Sequence, residues 1–156
     1  MNNDKTLALR AIEIAKEGIA NGSGPFGAVI AKNGTILAEA VNRVTLDHDP
    51  TAHAEIVAIR KAAKVLKSHD LHGCTLYSSC EPCPMCLGAI YWAGISRVIY
   101  VSDRHDAAQA GFSDKDIYDE IMLDNENRRI EFKHITGLNG NEVFKTWEEY
   151  ESKIPY

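Results

Sequence analysis

Two short stretches constrain this chain more than any other part of it: Thr51-Ala52-His53-Ala54-Glu55 and Ser79-Cys80-Glu81-Pro82-Cys83-Pro84-Met85-Cys86. The first supplies an imidazole and a carboxylate. The second supplies two thiols three residues apart, a spacing that places both on one face of a helix. Pro84 suits the first position of that helix, where its missing N–H had no intrahelical partner. Free N–H groups and the helix dipole at such a start stabilise thiolates. His53 and Glu55 also read as residues at a helix start. One imidazole and two thiolates are three ligands for a tetrahedral Zn²⁺, and a fourth position left to water makes the site catalytic rather than structural. Glu55 is then a proton carrier and not a fourth ligand. A C-x-x-C by itself is equally a redox pair or half of a structural site. This chain has no second C-x-x-C to complete a four-cysteine site. The joint pattern therefore favours one Zn²⁺ per subunit, held by His53, Cys83 and Cys86.

The remaining features bound the setting. The 156 residues predict one domain spanning 1–156. Three of the four cysteines fall between Cys80 and Cys86, which suits metal chemistry in a reducing compartment better than a disulfide framework. Lys and Arg number 17 against 22 Asp and Glu, a formal charge of -5 that argues against a nucleic-acid partner and favours a small substrate. The polar start Asn2 to Lys5 is unlike a signal peptide, and no apolar run reaches membrane-spanning length. The expected location is cytoplasmic, with no membrane contact.

Periodicity and turn signals predict an α-β-β-α-β-α-β-α-β-α order. A first helix reaches about Ala20, with Leu7, Ala11, Ile14, Ala15 and Ile19 as its buried stripe. Phe26 to Ala31 and Thr35 to Asn42 form a hairpin around Asn33-Gly34. A second helix covers His53 to Leu66. Cys74 to Ser78 is the third strand, Pro84 to about Ala93 the third helix and Arg97 to Val101 the fourth strand. Ser102 to Phe112 reads as a long loop that borders the site. A helix begins at Ser113 or Asp114, Ile130 to Ile135 is the fifth strand, and a last helix starts at Glu142. This order implies an α/β protein of three α/β/α layers around a central five-stranded mixed sheet. Phe26 is either core or a wall over a planar ring. Asn42 is either a turn residue or an amide that bonds a ring edge. Trp92 is core or pocket wall, and Asp114 is a helix cap or an acceptor for a donor-rich ligand. Cys80 and Glu81 are left open as site neighbours.

Together, Asp49-Pro50-Thr51-Ala52-His53-Ala54-Glu55 and Glu81-Pro82-Cys83-Pro84-Met85-Cys86 resemble the zinc-dependent, cytidine-deaminase-like superfamily. Gly24-Pro25-Phe26-Gly27-Ala28-Val29, Asn42, Leu87-Gly88-Ala89-Ile90-Tyr91-Trp92, Asp106-Ala107-Ala108-Gln109-Ala110-Gly111-Phe112 and the terminal Tyr156 narrow the resemblance to its bacterial guanine deaminases. What that resemblance implies is hydrolytic deamination of guanine to xanthine and ammonia, with Glu55 catalytic. It also implies a substrate set of Phe26, Asn42, Ala54, Trp92, Asp114 and Tyr156. A homodimer is implied as well, in which the C-terminal helix and tail, 142–156, cross to the other subunit. Folding back on the same subunit is the alternative for that segment. Deamination of guanosine or another amino-substituted ring is the alternative activity, and editing of adenosine in transfer RNA is a further one. The acidic ending Glu148-Glu149-Tyr150-Glu151 has the wrong sign for binding phosphates.

Overall fold

The computed structural model describes residues 3–156 and divides them into two compact units, one running through Tyr118 and one covering Asp119–Tyr156. In the first unit, α1 (Asn3–Ala20) leads into a hairpin of β1 (Gly27–Lys32) and β2 (Thr35–Val41). The turn between them uses Asn33 and Gly34 at φ of 50° and 80°, the left-handed pair that Asn-Gly supplies with little strain. A short α2 (Val44–Asp47) precedes α3 (Ala54–Leu66), β3 (Cys74–Cys80), α4 (Pro84–Trp92), β4 (Arg97–Ser102), α5 (Arg104–Gln109) and the start of α6 (Asp114–Ile121), whose last three residues belong to the second unit.

The sheet has four strands in the order β2-β1-β3-β4. β1 is antiparallel to both β2 and β3, whereas β3 and β4 run parallel, joined by the crossover through α4. Successive side chains of β1 alternate between two cores. Ala28 and Ile30 join Leu76, Ala58 and Ile90 on the α3–α4 side, and Val29 and Ala31 join Leu7, Ala11 and Ile14 of α1 on the other. The result is an α/β/α arrangement. Gly27 permits the close approach of α1, since a Cβ there would lie 2.3 Å from the Ala11 carbonyl oxygen.

The expected fifth strand is a correction. Ile130 to Ile135 has no ladder partner among the described residues, and Ile130, Phe132 and Ile135 are 73%, 50% and 65% exposed. An apolar run becomes a strand only where another strand can take its N–H and C=O groups. The sheet is therefore mixed but four-stranded. Two segments whose composition reads as loop, Val44 to Pro50 and Ser102 to Phe112, contain the short helices α2 and α5. Ile19, placed on the buried stripe of α1, is 52% exposed, and Gly18 is buried in its stead.

The second unit contains a 3₁₀ turn, Asn125–Asn127, and a helix α7 (Glu142–Glu149). Arg128 donates to the carbonyls of Glu120, Ile121 and Leu123, and its guanidinium lies 5.0 Å from the centre of the Phe132 ring. None of its residues is buried.

Candidate active site

The site begins with two helix caps. His53 is the N-cap of α3 and Cys83 the N-cap of α4, both with extended backbone, and Pro84 opens α4. The sheet brings these two helix starts together. The Nδ1 atom of His53 lies 3.6 Å from the Sγ of Cys83 and 3.6 Å from that of Cys86. The three ligand atoms all fall within 4.8 Å of one another. Tetrahedral zinc with Zn–N near ~2.0 Å and Zn–S near ~2.3 Å requires an N···S separation of roughly 3.5 Å. The donor set therefore fits zinc in chemistry and in spacing, with no movement of the backbone.

The electrostatics agree with a cation here. The Cys83 thiol is lowered to about 4, first by its hydrogen bond with Cys86, then by His53, against the opposing effect of burial. Cys86 moves the other way, because Cys83 and its burial both hold its proton in place. Two sulfurs that share a proton in this way are ready to exchange it for a metal ion. His53 is raised, chiefly by its hydrogen bond with Cys83.

Glu55 sits in the first turn of α3, 5% exposed. Its Oε1 accepts from the Ser78 hydroxyl of β3 at 3.3 Å. Burial raises its pKa above the ordinary carboxylate range, and the neighbouring Cys83 adds to the shift. A carboxyl group raised in this way exchanges protons closer to neutral pH, which is what a general acid–base requires.

A cavity of about 270 Å³ opens beside the three ligands. Phe26, Asn42, His53, Glu55, Glu81, Cys83, Phe112 and Asp114 line it. Asn42 is 7% exposed, and its Oδ1 accepts from the Val44 N–H at 3.1 Å. That bond orients the amide and leaves the NH₂ end for a ligand. Asp114, at the start of α6, has a pKa raised by burial first and by Cys83 second. Ala54 is fully buried in the α3 core, so any contact it makes with a ligand runs through its main chain. Trp92, the last residue of α4, is 73% exposed and is not among the residues lining this cavity. Tyr156 belongs to the second unit and is 84% exposed.

One cavity residue, Phe112, is given no role in the site by the motifs. Phe112 packs edge-on against Phe26, with ring centroids 4.8 Å apart and planes at 81°. Glu81, left open above, lines the cavity while binding Arg104. The signal for Phe112 was its place at the end of the stretch Asp106 to Phe112, directly after a glycine. Asp103 and Asp106, which fall in the stretch read as a loop, form the capping box of α5. His48 lies outside the metal group.

An α/β/α fold with zinc ligands at two helix starts, a buried carboxyl group beside them and a small-molecule cavity defines a zinc-dependent hydrolytic enzyme. Residues 1–102 match the family of the cytidine and deoxycytidylate deaminase zinc-binding region. The chain belongs to this family of zinc-dependent deaminases. It is 51% identical over 155 residues to the guanine deaminase of Bacillus subtilis (strain 168), covering 99% of both chains. It superimposes on the X-ray structure of guanine deaminase from Bacillus subtilis with a TM-score of 0.95, covering 97% of this chain and 98% of that one. A tRNA-specific adenosine deaminase of Buchnera aphidicola is 46% identical over 99 residues, covering 64% of this chain and 61% of the relative.

Proposed function

We infer that the protein deaminates guanine to xanthine and ammonia with one zinc ion per subunit, as part of purine breakdown or salvage. The observation that carries this reading is the extent of the similarity. Likeness to a guanine deaminase runs through 99% of the chain, the C-terminal segment included, whereas the tRNA adenosine deaminase matches 64% of it. The cavity of about 270 Å³ agrees, because it is small even for a small-molecule site.

Zinc, when bound by His53, Cys83 and Cys86, supplies the Lewis acidity that makes water a nucleophile near neutral pH. The other steps belong to the side chains. Glu55 takes a proton from the attacking water as the C2–O bond forms. It returns protons to the ring nitrogen and to the exocyclic amine, the C2–N bond breaks, and ammonia leaves. Burial raises the Glu55 pKa, the direction that favours a group which must return the protons it takes. Asn42 and Asp114 hold the purine edges, the main chain at Ala54 offers a helix-start N–H, and Phe26 forms an apolar wall. Fixed ring orientation matters because attack requires one face and one distance. The assignments of Trp92 as a second wall and of Tyr156 as a closing residue rest on the family resemblance.

The same reading treats residues 1–156 as one functional deaminase domain and the enzyme as a homodimer in which 142–156 exchanges between subunits. Val143, Phe144 and Trp147 of α7 are 71%, 70% and 43% exposed in the single chain, and an apolar helix face of that kind supports a partner surface. A cytoplasmic setting is supported by four free cysteines, and no helix among the described residues is long and apolar enough to cross a membrane.

The test is ammonia release from guanine, guanosine, adenine, adenosine, cytosine, cytidine and transfer RNA at equal concentrations. Guanine is expected to be clearly preferred. A guanosine preference keeps the chemistry and reassigns the pocket; a transfer-RNA or cytidine preference overturns the substrate.

A further inference from the structure

Behind the metal ligands lies a closed ring of contacts that the chemistry above does not use. It starts at Glu81, two residues before Cys83, whose carboxylate receives three hydrogen bonds from Arg104. The Arg104 backbone N–H and Nε both donate to Oε2 at 3.1 Å, and Nη2 donates to Oε1 at 2.5 Å. The Cζ of the same guanidinium lies over the Tyr118 ring, 3.9 Å from its centre. Tyr118 closes the ring of contacts by donating its hydroxyl hydrogen to the Pro82 carbonyl at 2.9 Å. The two ends of the path are thus adjacent residues, Glu81 and Pro82, immediately ahead of a metal ligand.

The elements that meet here explain what such a ring can do. Arg104 is the first residue of α5, where the capping box of Asp103 and Asp106 fixes the backbone. Tyr118 follows Asp114 by four residues on α6, so the two side chains share a helix face. Anchoring Tyr118 to the metal-binding loop therefore sets the distance from that loop to Asp114. The cavity is lined by both ends of the arrangement, Glu81 and Asp114. A bidentate arginine held over an aromatic ring has few orientations open to it, and lysine cannot reproduce the bidentate contact. Three of the acceptor sites of the Glu81 carboxylate are taken by Arg104.

We propose that Arg104 is a positioning residue for the deamination reaction: clamped between Glu81 and the Tyr118 ring, it holds Asp114 at the substrate edge without touching substrate itself. The proposal rests on the guanine reading above only for the ring being bound. Its consequence is that Arg104 acts through Asp114, so the two are coupled.

A double-mutant cycle in the zinc-loaded, full-length protein tests it, using Arg104→Lys, Asp114→Asn and the combination, with kcat, KM and zinc content measured for each. Wild-type ammonia release from guanine is measured first; its absence defeats the substrate reading, and the cycle is then run on the amino-purine that the wild type does deaminate. Arg104→Lys is expected to raise KM by about tenfold while zinc content stays at one per chain and kcat changes less. In the Asp114→Asn background the same change should cost less than about twofold. Tyr118→Phe keeps the ring and loses the Pro82 contact, so it should give a smaller KM increase that also vanishes with Asp114→Asn. Equal effects in both backgrounds would overturn the proposal, because Arg104 would then act independently of Asp114. Loss of zinc in Arg104→Lys would also overturn it, by assigning the ring of contacts to the metal loop alone.

Discussion

The two units of this chain both carry large apolar side chains but use them differently. In the unit ending at Tyr118, Ile30, Leu71, Leu76 and Val29 have no exposed surface, and they lie on both sides of one sheet. In the unit Asp119–Tyr156, Met122, Ile130, Leu138, Phe144 and Ile154 are each at least 70% exposed. The difference teaches that patterning alone does not make a core. In the first unit, strand pairing forces alternate side chains to opposite faces, and a helix lies ready on each. The second unit has hydrogen bonds of Arg128 to carbonyls and local turns, and its apolar side chains meet solvent in the single chain.

If chemistry belongs to the first unit, the largest effects come from its site. Cys83→Ala and His53→Ala should abolish both bound zinc, measured by elemental analysis, and ammonia release. Glu55→Gln should keep one zinc per chain and slow deamination by roughly 10²-fold or more. Retention of full turnover in that variant would remove Glu55 from the reaction.

The core contrast can be broken by unfolding measurements. Leu76→Ala, made where the side chain is fully buried, should cost about 2–5 kcal/mol in a denaturant titration. Ile130→Ala should stay within about 0.5 kcal/mol if its side chain remains exposed. A cost similar to that of Leu76→Ala would mean that a second subunit covers the segment in solution.

Removing Ile154 to Tyr156 sharpens the same comparison through activity. Guanine deamination should fall by roughly tenfold with zinc content unchanged, if Tyr156 excludes water from a site. Mixing this truncated chain with the inactive Glu55→Gln chain, after subunit exchange, should restore part of the activity, since a mixed dimer then holds one intact Glu55 and one donated tail. No recovery, with exchange demonstrated by full-length controls, would place each tail on its own subunit.

The smallest expected effect concerns acid stability in the first unit. Arg10 of α1 grips Glu39 of β2 through Nε and Nη2 at 2.9 and 3.1 Å, and this lowers the Glu39 pKa. A carboxylate lowered on folding stabilises the native state above its unfolded pKa of about 4.3, and that contribution disappears as pH falls through the lower folded value. Glu39→Gln should therefore reduce stability at pH 7 slightly and flatten its decline below about pH 4, as read from Tm against pH.

What the sequence determined by itself was the local chemistry. His53, Glu55, Cys83 and Cys86 were legible because their spacing and the proline at position 84 dictate where they stand on helix starts, whatever the rest of the chain does. Asn33-Gly34 was legible for the same reason, since one backbone conformation suits it. Tertiary structure decided everything that depends on a distant partner. The run Ile130 to Ile135 has strand composition, but a strand exists only through a neighbour, and none pairs with it among the described residues. Phe112 became a wall of the cavity only because the fold brings it edge-on to Phe26. Arg104 looked like one charged loop residue among several, and only packing set its guanidinium between a carboxylate and an aromatic ring. Short-range geometry is written in residue order; long-range contact is chosen by which surfaces can be buried together.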